Sequence, residues 1–342
     1  MLRSFTRRRL LAGSALAALL LAALPATAEI GTHTLKFAAA NNKGHPQIQG
    51  VEKFAELVKA KSGGKITVRI YPGGQLGGDL QTISALQGGT VEMMVLNTGL
   101  LAGLSKDFAL VDLPFLFDSP EQADGVVDGP FGKALEEQLP AKGLVGLGYW
   151  ELGFRQLTNR RRPIAKAEDI AGLKVRVVQT PVMIDLFNAL GANAVPMPFP
   201  ELYTALETGA VDGQENPYSL ILTSKFFEVQ KHLANTRHVY NPQSVLISKK
   251  TWDKLNDEEK KLIQDAALEA RDFQRKVSRT TNDDALAQLK KEGMQVTDLP
   301  PEEMAKLREK AKPVFEKHSK EANPELVKLL QSELEKARGN KS

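Results

Sequence analysis

No cysteine occurs among the 342 residues. Disulfides, thiolate metal sites, a cysteine nucleophile and a lipid-modified cysteine at a mature N-terminus are therefore excluded. Histidine is scarce as well. The five histidines are scattered and form no HExxH motif. His232 and His238, six apart across a helix-to-strand junction, are read as surface residues rather than metal ligands. GxxxxGK[ST], GxGxxG and GxSxG are all missing, which removes the usual signals for nucleotide binding and serine hydrolysis. The glycine-rich stretch YPGGQLGGDL at 71–80 is read as a strand-end turn. Carboxylates are plentiful, but no pair is marked out for acid–base work.

An excess of one charge is also lacking once the leader is set aside. Arg3, Arg7, Arg8 and Arg9 precede an apolar run over 10–24, then Pro25 and the A-x-A site Ala26-Thr27-Ala28. This is the pattern of a secretory signal peptide, with cleavage expected after Ala28. TRRRLL at 6–11 also resembles a twin-arginine signal, so the route stays open between Sec and twin-arginine export. The whole chain has 45 Lys and Arg against 41 Asp and Glu. The leader holds four of the Arg and no acid, leaving 41 against 41. Nothing in that balance supports nucleic-acid binding. No later apolar run of about 18 residues reads as a membrane span. An exported chain without a lipid anchor is expected free in a periplasm.

The mature chain alternates in type. HTLKFAAA, KITVRIYPGG and TVEMMVLNTG read as strands, separated by the helices PQIQGVEKFAELVKAKSGG and DLQTISALQGG. This order predicts a mainly parallel sheet with helices on its faces. GLVGLGYWELGFRQLTN then carries one strand into another. GLKVRVVQ, VMIDLFNALG, AVPMPF, ELYTALETGA and VDGQENPYS repeat the alternation as a second α/β unit. From 244 to 292 there is neither proline nor glycine. Asn256 with Glu259 three residues on makes a capping box. Leu262, Ile263, Ala266, Ala267, Ala270, Phe273 and Val277 recur at helical spacing. One helix over 257–292 would be about 54 Å long at 1.5 Å per residue, enough to span two domains. A break near Thr280-Thr281-Asn282 is the alternative.

Polar groups gather at strand ends. In KVRVVQ, Val175 and Val177 share one face, and Lys174 and Arg176 share the other. Arg155 follows an apolar strand, Gln214, Glu215 and Asn216 lie on a turn closed by Pro217, and MMVLN ends in Asn97. Ligands of open α/β sheets sit beyond the carboxyl ends of strands. Guanidinium forks there suit a carboxylate ligand. Internal ion pairs are the competing explanation for the same arginines.

GFRQLTN, IAGLKVRV, GANAVPMPFPELYTALETGAVDGQENP, KFFEVQKHL and LPFLF occur in order along nearly all of the mature chain. Together they resemble the substrate-binding proteins of tripartite ATP-independent periplasmic (TRAP) transporters, the DctP-like family. The resemblance implies an α/β fold with two domains around a ligand cleft and a long domain-spanning helix. By analogy, domain I comprises 29–152 plus 242–281, and domain II 153–241 plus 282–342. It also implies that Arg176 holds a ligand carboxylate, assisted by Arg155 and Asn216. Asn97, Gln179, Asp79 and Phe199 match positions that contact ligand in some members. Asn97 and Gln179 depart from the pattern of the sialic-acid binders. Glu151 is a further candidate for ligand hydroxyls, and Trp150, like Phe199, for packing on a sugar face. The expected ligand is a hexuronate or aldonate, with C4-dicarboxylates and 2-oxo or hydroxy monocarboxylates as alternatives. No His or Tyr–Lys constellation argues for a sugar-acid lyase, so no enzyme activity and no cofactor is expected. The implied partners are the small and large integral membrane subunits of the transporter, the protein itself being a monomer.

Overall fold

The computed structural model describes residues 29–339; the leader and its cleavage site lie outside them. Eleven strands fall into two sheets among these residues. The first holds β1 (His33–Ala39), β2 (Ile66–Tyr71), β3 (Met93–Asn97), β4 (Leu144–Phe154) and β10 (Tyr240–Ser248), in the order β2-β1-β3-β10-β4. The second holds β5 (Gln156–Asn159), β6 (Lys174–Val177), β7 (Asn193–Pro196), β8 (Gly213–Asn216), β9 (His232–Ala234) and β11 (Gln295–Thr297), in the order β11-β9-β5-β8-β6-β7.

The sheets are mixed, where mainly parallel pairing was expected. β1 is parallel to β2 and β3, and β6 to β7 and β8. β10 runs antiparallel to β3 and β4, and β5 antiparallel to β8 and β9. The reason is the route of the chain. β4 passes into β5 through Arg155 alone, and β9 returns to β10 through residues 235–239. The Arg155 N–H donates to Val239 O at 2.9 Å, binding the two crossings together.

Eleven α-helices cover the sheets. α1 (Pro46–Lys61) and α2 (Asp79–Gly88) connect the first strands; α3 (Pro120–Val127) and α4 (Pro130–Glu136) precede β4. α5 (Pro181–Ala189), α6 (Leu202–Glu207) and α7 (Tyr218–Thr223) belong to the second unit. After β10 come α8 (Lys249–Trp252), α9 (Asp257–Lys291), α10 (Pro301–Glu321) and α11 (Pro324–Gly339). None is long and apolar enough to cross a membrane.

α9 is one unbroken helix of 35 residues, about 52 Å long. Its start is the capping box read from the sequence: Glu259 N–H donates to Asn256 Oδ1 and Asn256 N–H to Glu259 Oε2, both at 2.9 Å. Near that end Ile263, Ala266 and Ala270 pack with Leu35, Phe37, Phe54 and Trp150 in the core of the first sheet. Near the other end Leu289 packs with Leu206, Ile221, Phe226 and Leu233 in a core of the second unit. Midway, Gln274 is paired with the edge of β4, accepting from Glu151 N–H (2.9 Å) and donating to Glu151 O (2.7 Å). The helix thus serves both units and closes an otherwise open sheet edge.

Candidate functional site

The carboxyl end of β6 carries Arg176, 2% exposed. Its Nε and Nη2 donate to Met197 O at 2.9 and 2.6 Å. A guanidinium has five N–H donors, so three remain, on Nη1 and Nη2. No carboxylate forms a salt bridge with it among the described residues. Phe199 lies beneath it, 5.9 Å from Cζ to ring centroid. Burial lowers the Arg176 pKa to about 10, so it stays a cation at neutral pH.

The guanidinium faces a small cavity of about 30 Å³ between the two sheets. Arg176, Val178, Phe199, Asn216 and Leu220 line it from the second unit; Asn41, Gln47, Asp79, Leu96, Asn97 and Gln243 line it from the first. The topology explains the meeting. β1 ends just before Asn41, β3 ends at Asn97, β6 ends just after Arg176, and β8 ends at Asn216. These are the strand ends where a ligand of an α/β sheet is expected. Asn216 is held by its Nδ2, which donates to Gln214 Oε1 at 2.6 Å. Asp79 opens α2 with its carboxyl enclosed by the cavity wall. Burial raises its pKa to about 6, against the pull of Arg176.

Five of the nine expected site residues therefore surround one space: Arg176, Asn216, Asn97, Phe199 and Asp79. Gln179 does not join them. It lines an adjoining groove at the mouth, with Gly74, Gly78, Pro198 and Pro200. Trp150 is packed in the first core, stacked on Phe37 with centroids 6.5 Å apart. Glu151 is buried against α9, where Oε2 accepts from Arg279 Nε (2.8 Å) and Tyr240 OH (3.1 Å).

Arg155 is fully buried behind the cavity. It pairs with Glu215 through Nε and Nη2, and its Nη1 donates to Asn241 Oδ1 at 2.7 Å. Asn241 Nδ2 donates to Asp112 Oδ1 (2.8 Å), and His238 Nε2 lies 3.1 Å from Glu215 Oε2. His238 and His232 are both buried, contrary to the surface reading. His238 is drawn in by this network, and His232 by the β9–β11 pairing. No group of three or more His, Cys, Asp or Glu among the described residues is placed to hold a metal.

Gln47 and Gln243 are cavity residues that motif reading missed. They stand 196 positions apart and belong to no shared pattern. The only available signal was the position of each beside a strand end or helix start facing the same gap.

The lips of the cavity touch. The turn after β2 reaches the second unit at Gly74, whose φ is +69°; a Cβ there would lie 2.4 Å from Pro200 Cγ. YPGGQLGGDL is thus a strand-end turn, and its glycine permits both the left-handed backbone and the close approach.

Known proteins share this architecture. The profile of bacterial extracellular solute-binding proteins, family 7 (DctP), matches residues 37–322. The crystal structure of a TRAP periplasmic solute binding protein from Ochrobactrum anthropi, with its C-terminus bound in the ligand binding pocket, is 63% identical in sequence. It covers 91% of this chain and 98% of its own, with a TM-score of 0.81. The sugar acid binding protein DctPAm from Advenella mimigardefordensis, in complex with galactonate, is 46% identical. The match covers 90% of this chain and 99% of that one, with a TM-score of 0.88. The 2,3-diketo-L-gulonate-binding periplasmic protein YiaO of Escherichia coli K12 is 37% identical over 285 residues, 82% of this chain and 87% of its own. The two-domain fold, the cavity at the strand ends and these matches agree: the chain belongs to the DctP family of TRAP solute-binding proteins, which bind ligands for transport and are not enzymes.

Proposed function

We propose that this protein captures a sugar acid, a hexuronate or aldonate, and delivers it to the small and large integral membrane subunits of a TRAP transporter. It works in the periplasm as a monomer, after export and cleavage behind Ala28. Domain I is 29–152 plus 242–281, and domain II is 153–241 plus 282–342.

The observation that carries this reading is Arg176: a buried cation with free N–H donors, facing a cavity and forming no salt bridge with a carboxylate among the described residues. A desolvated charge of this kind is costly unless a counter-charge joins it. A ligand carboxylate supplies one, and the guanidinium fork matches its two oxygens. Relatives that bind galactonate, 2,3-diketo-L-gulonate and β-D-galacturonate favour sugar acids within the carboxylates.

Calorimetric titration of galactonate and galacturonate into the wild type and Arg176→Lys tests the reading. The substitution leaves a carboxylate without its two-pronged partner, an effect of about 2–5 kcal/mol. That is roughly a 30-fold to several-thousand-fold loss of affinity. Near-wild-type affinity in Arg176→Lys would remove the carboxylate anchor.

A further inference from the structure

The carboxylate anchor occupies only one side of the cavity. Gln47, on the first turn of α1, and Gln243, on β10, line the other side. Each is 2% exposed. Neither side chain has a hydrogen-bond partner among the described residues, and the Oε1 atom of each is sealed from solvent. Asn97, the ladder partner of Gln243, has its Oδ1 in the same condition. Eleven buried side-chain atoms are unpartnered among the described residues, and three of them belong to residues lining this one cavity. Buried amides are almost always paired, so three orphans on one wall call for polar groups from outside the chain. Asp79 adds a carboxylate to the same wall, with no ion pair among the described residues.

We infer that Gln47 and Gln243 extend the ligand contacts expected at Asn97 and Asp79 into a hydroxyl-reading wall, which selects a polyhydroxy monocarboxylate and rejects a second carboxylate. The chemistry of each group supports this. An amide offers both a donor and an acceptor, and so does a hydroxyl, so either orientation of the amide finds its match. Ionised Asp79 only accepts, so it takes a hydrogen bond from a hydroxyl and repels another anion. The wall is rigid where it reads. His45 Nδ1 accepts from Gln47 N–H at 3.1 Å, holding the start of α1. Gln243 sits between β3 and β4 in the sheet. Domain II thus supplies the carboxylate anchor and domain I the hydroxyl contacts. A ligand satisfies both only when it bridges the cleft.

This inference rests on the reading that Arg176 holds the ligand carboxylate. Its test uses galactonate and galacturonate, hexanoate (six carbons and no hydroxyls) and succinate as calorimetric probes. In the wild type, at least one sugar acid binds about 100-fold or more tighter than hexanoate and succinate, because unmet polar groups penalise the analogue without hydroxyls. In Gln47→Leu and in Gln243→Leu that preference over hexanoate falls about tenfold. In Asp79→Asn the preference over succinate narrows by a similar factor. Ligand-free melting curves check that each variant folds, and the wild-type comparison stands without them. Hexanoate or succinate binding as tightly as the sugar acids overturns the hydroxyl wall and leaves the carboxylate anchor in place. An unchanged preference in both folded Gln variants also overturns it. Failure of all four probes to bind removes the wall and the sugar-acid reading together.

Discussion

Arg155 and Glu215 close on each other where neither solvent nor the cavity reaches, with Nη2 2.8 Å from Oε1 and both side chains fully buried. Arg155 sits on the outward crossing between the sheets, and Asn241, its Nη1 partner, starts the strand that returns. His238 and Asp112 extend the network on either side. An arginine of this kind holds the crossing in place.

Removing one member of a buried pair leaves the other charged and unpaired, which costs about 3–5 kcal/mol. Arg155→Met is therefore expected to lower ligand-free stability by that amount in denaturant titrations. Arg176→Lys, by contrast, is expected to alter affinity and leave the ligand-free transition near that of the wild type. A normal transition with lost galactonate binding in Arg155→Met would reverse these assignments.

The contact between Gly74 and Pro200 joins the two lips of the cleft. An alanine at 74 would meet Pro200 only when the lips are together, since its Cβ would stand 2.4 Å from Cγ. Binding that requires closure is weakened in proportion to the lost closed population. Gly74→Ala should reduce galactonate affinity about tenfold or more. Solution scattering should show the wild type contracting on saturation with galactonate, and the variant contracting less. Equal contraction and equal affinity would mean that the lips stay together throughout.

Burial raises the Asp112 pKa to about 7, although Arg155, Thr180 and Asn241 favour its ionised form. From its ordinary value of 3.8 up to about 7, the folded protein holds a proton that the unfolded chain has released. Stability from this group therefore falls as pH rises through that window. His45 and His238 are held below the ordinary histidine range by burial and slope the other way below about pH 6.5. The informative quantity is thus the difference between Asp112→Asn and wild type. It should move in favour of the variant by roughly 2 kcal/mol between pH 5 and pH 7 and then level off. A pH-independent difference would show that Asp112 titrates normally.

Much of the fold was legible because its signals are local. The alternation of strands and helices, the Asn256–Glu259 capping box and the apolar stripe of α9 each depend on residues a few positions apart. The strand-end rule also brings Arg176, Asn97 and Asn216 to one place from sequence alone. Period-two alternation sends Glu215 and Asn216 to opposite faces of β8, so one meets Arg155 and the other lines the cavity.

The rest depended on partners far away in the chain. Arg155 and Arg176 look alike in sequence, each a cation at the end of an apolar strand. One is tied to Glu215 across a β5–β8 ladder, while the other donates to a backbone carbonyl and forms no salt bridge among the described residues. Trp150 and Glu151 are engaged by α9, more than a hundred residues later, which covers their strand edge. Gln47 and Gln243 became neighbours of one cavity only when α1 and the returning β10 were set beside β3. Secondary structure follows from short-range sterics and periodicity, which adjacent residues carry in themselves. Whether a buried polar group is already satisfied or still awaits a ligand depends on which distant segments pack against it, and the tertiary structure alone decided that.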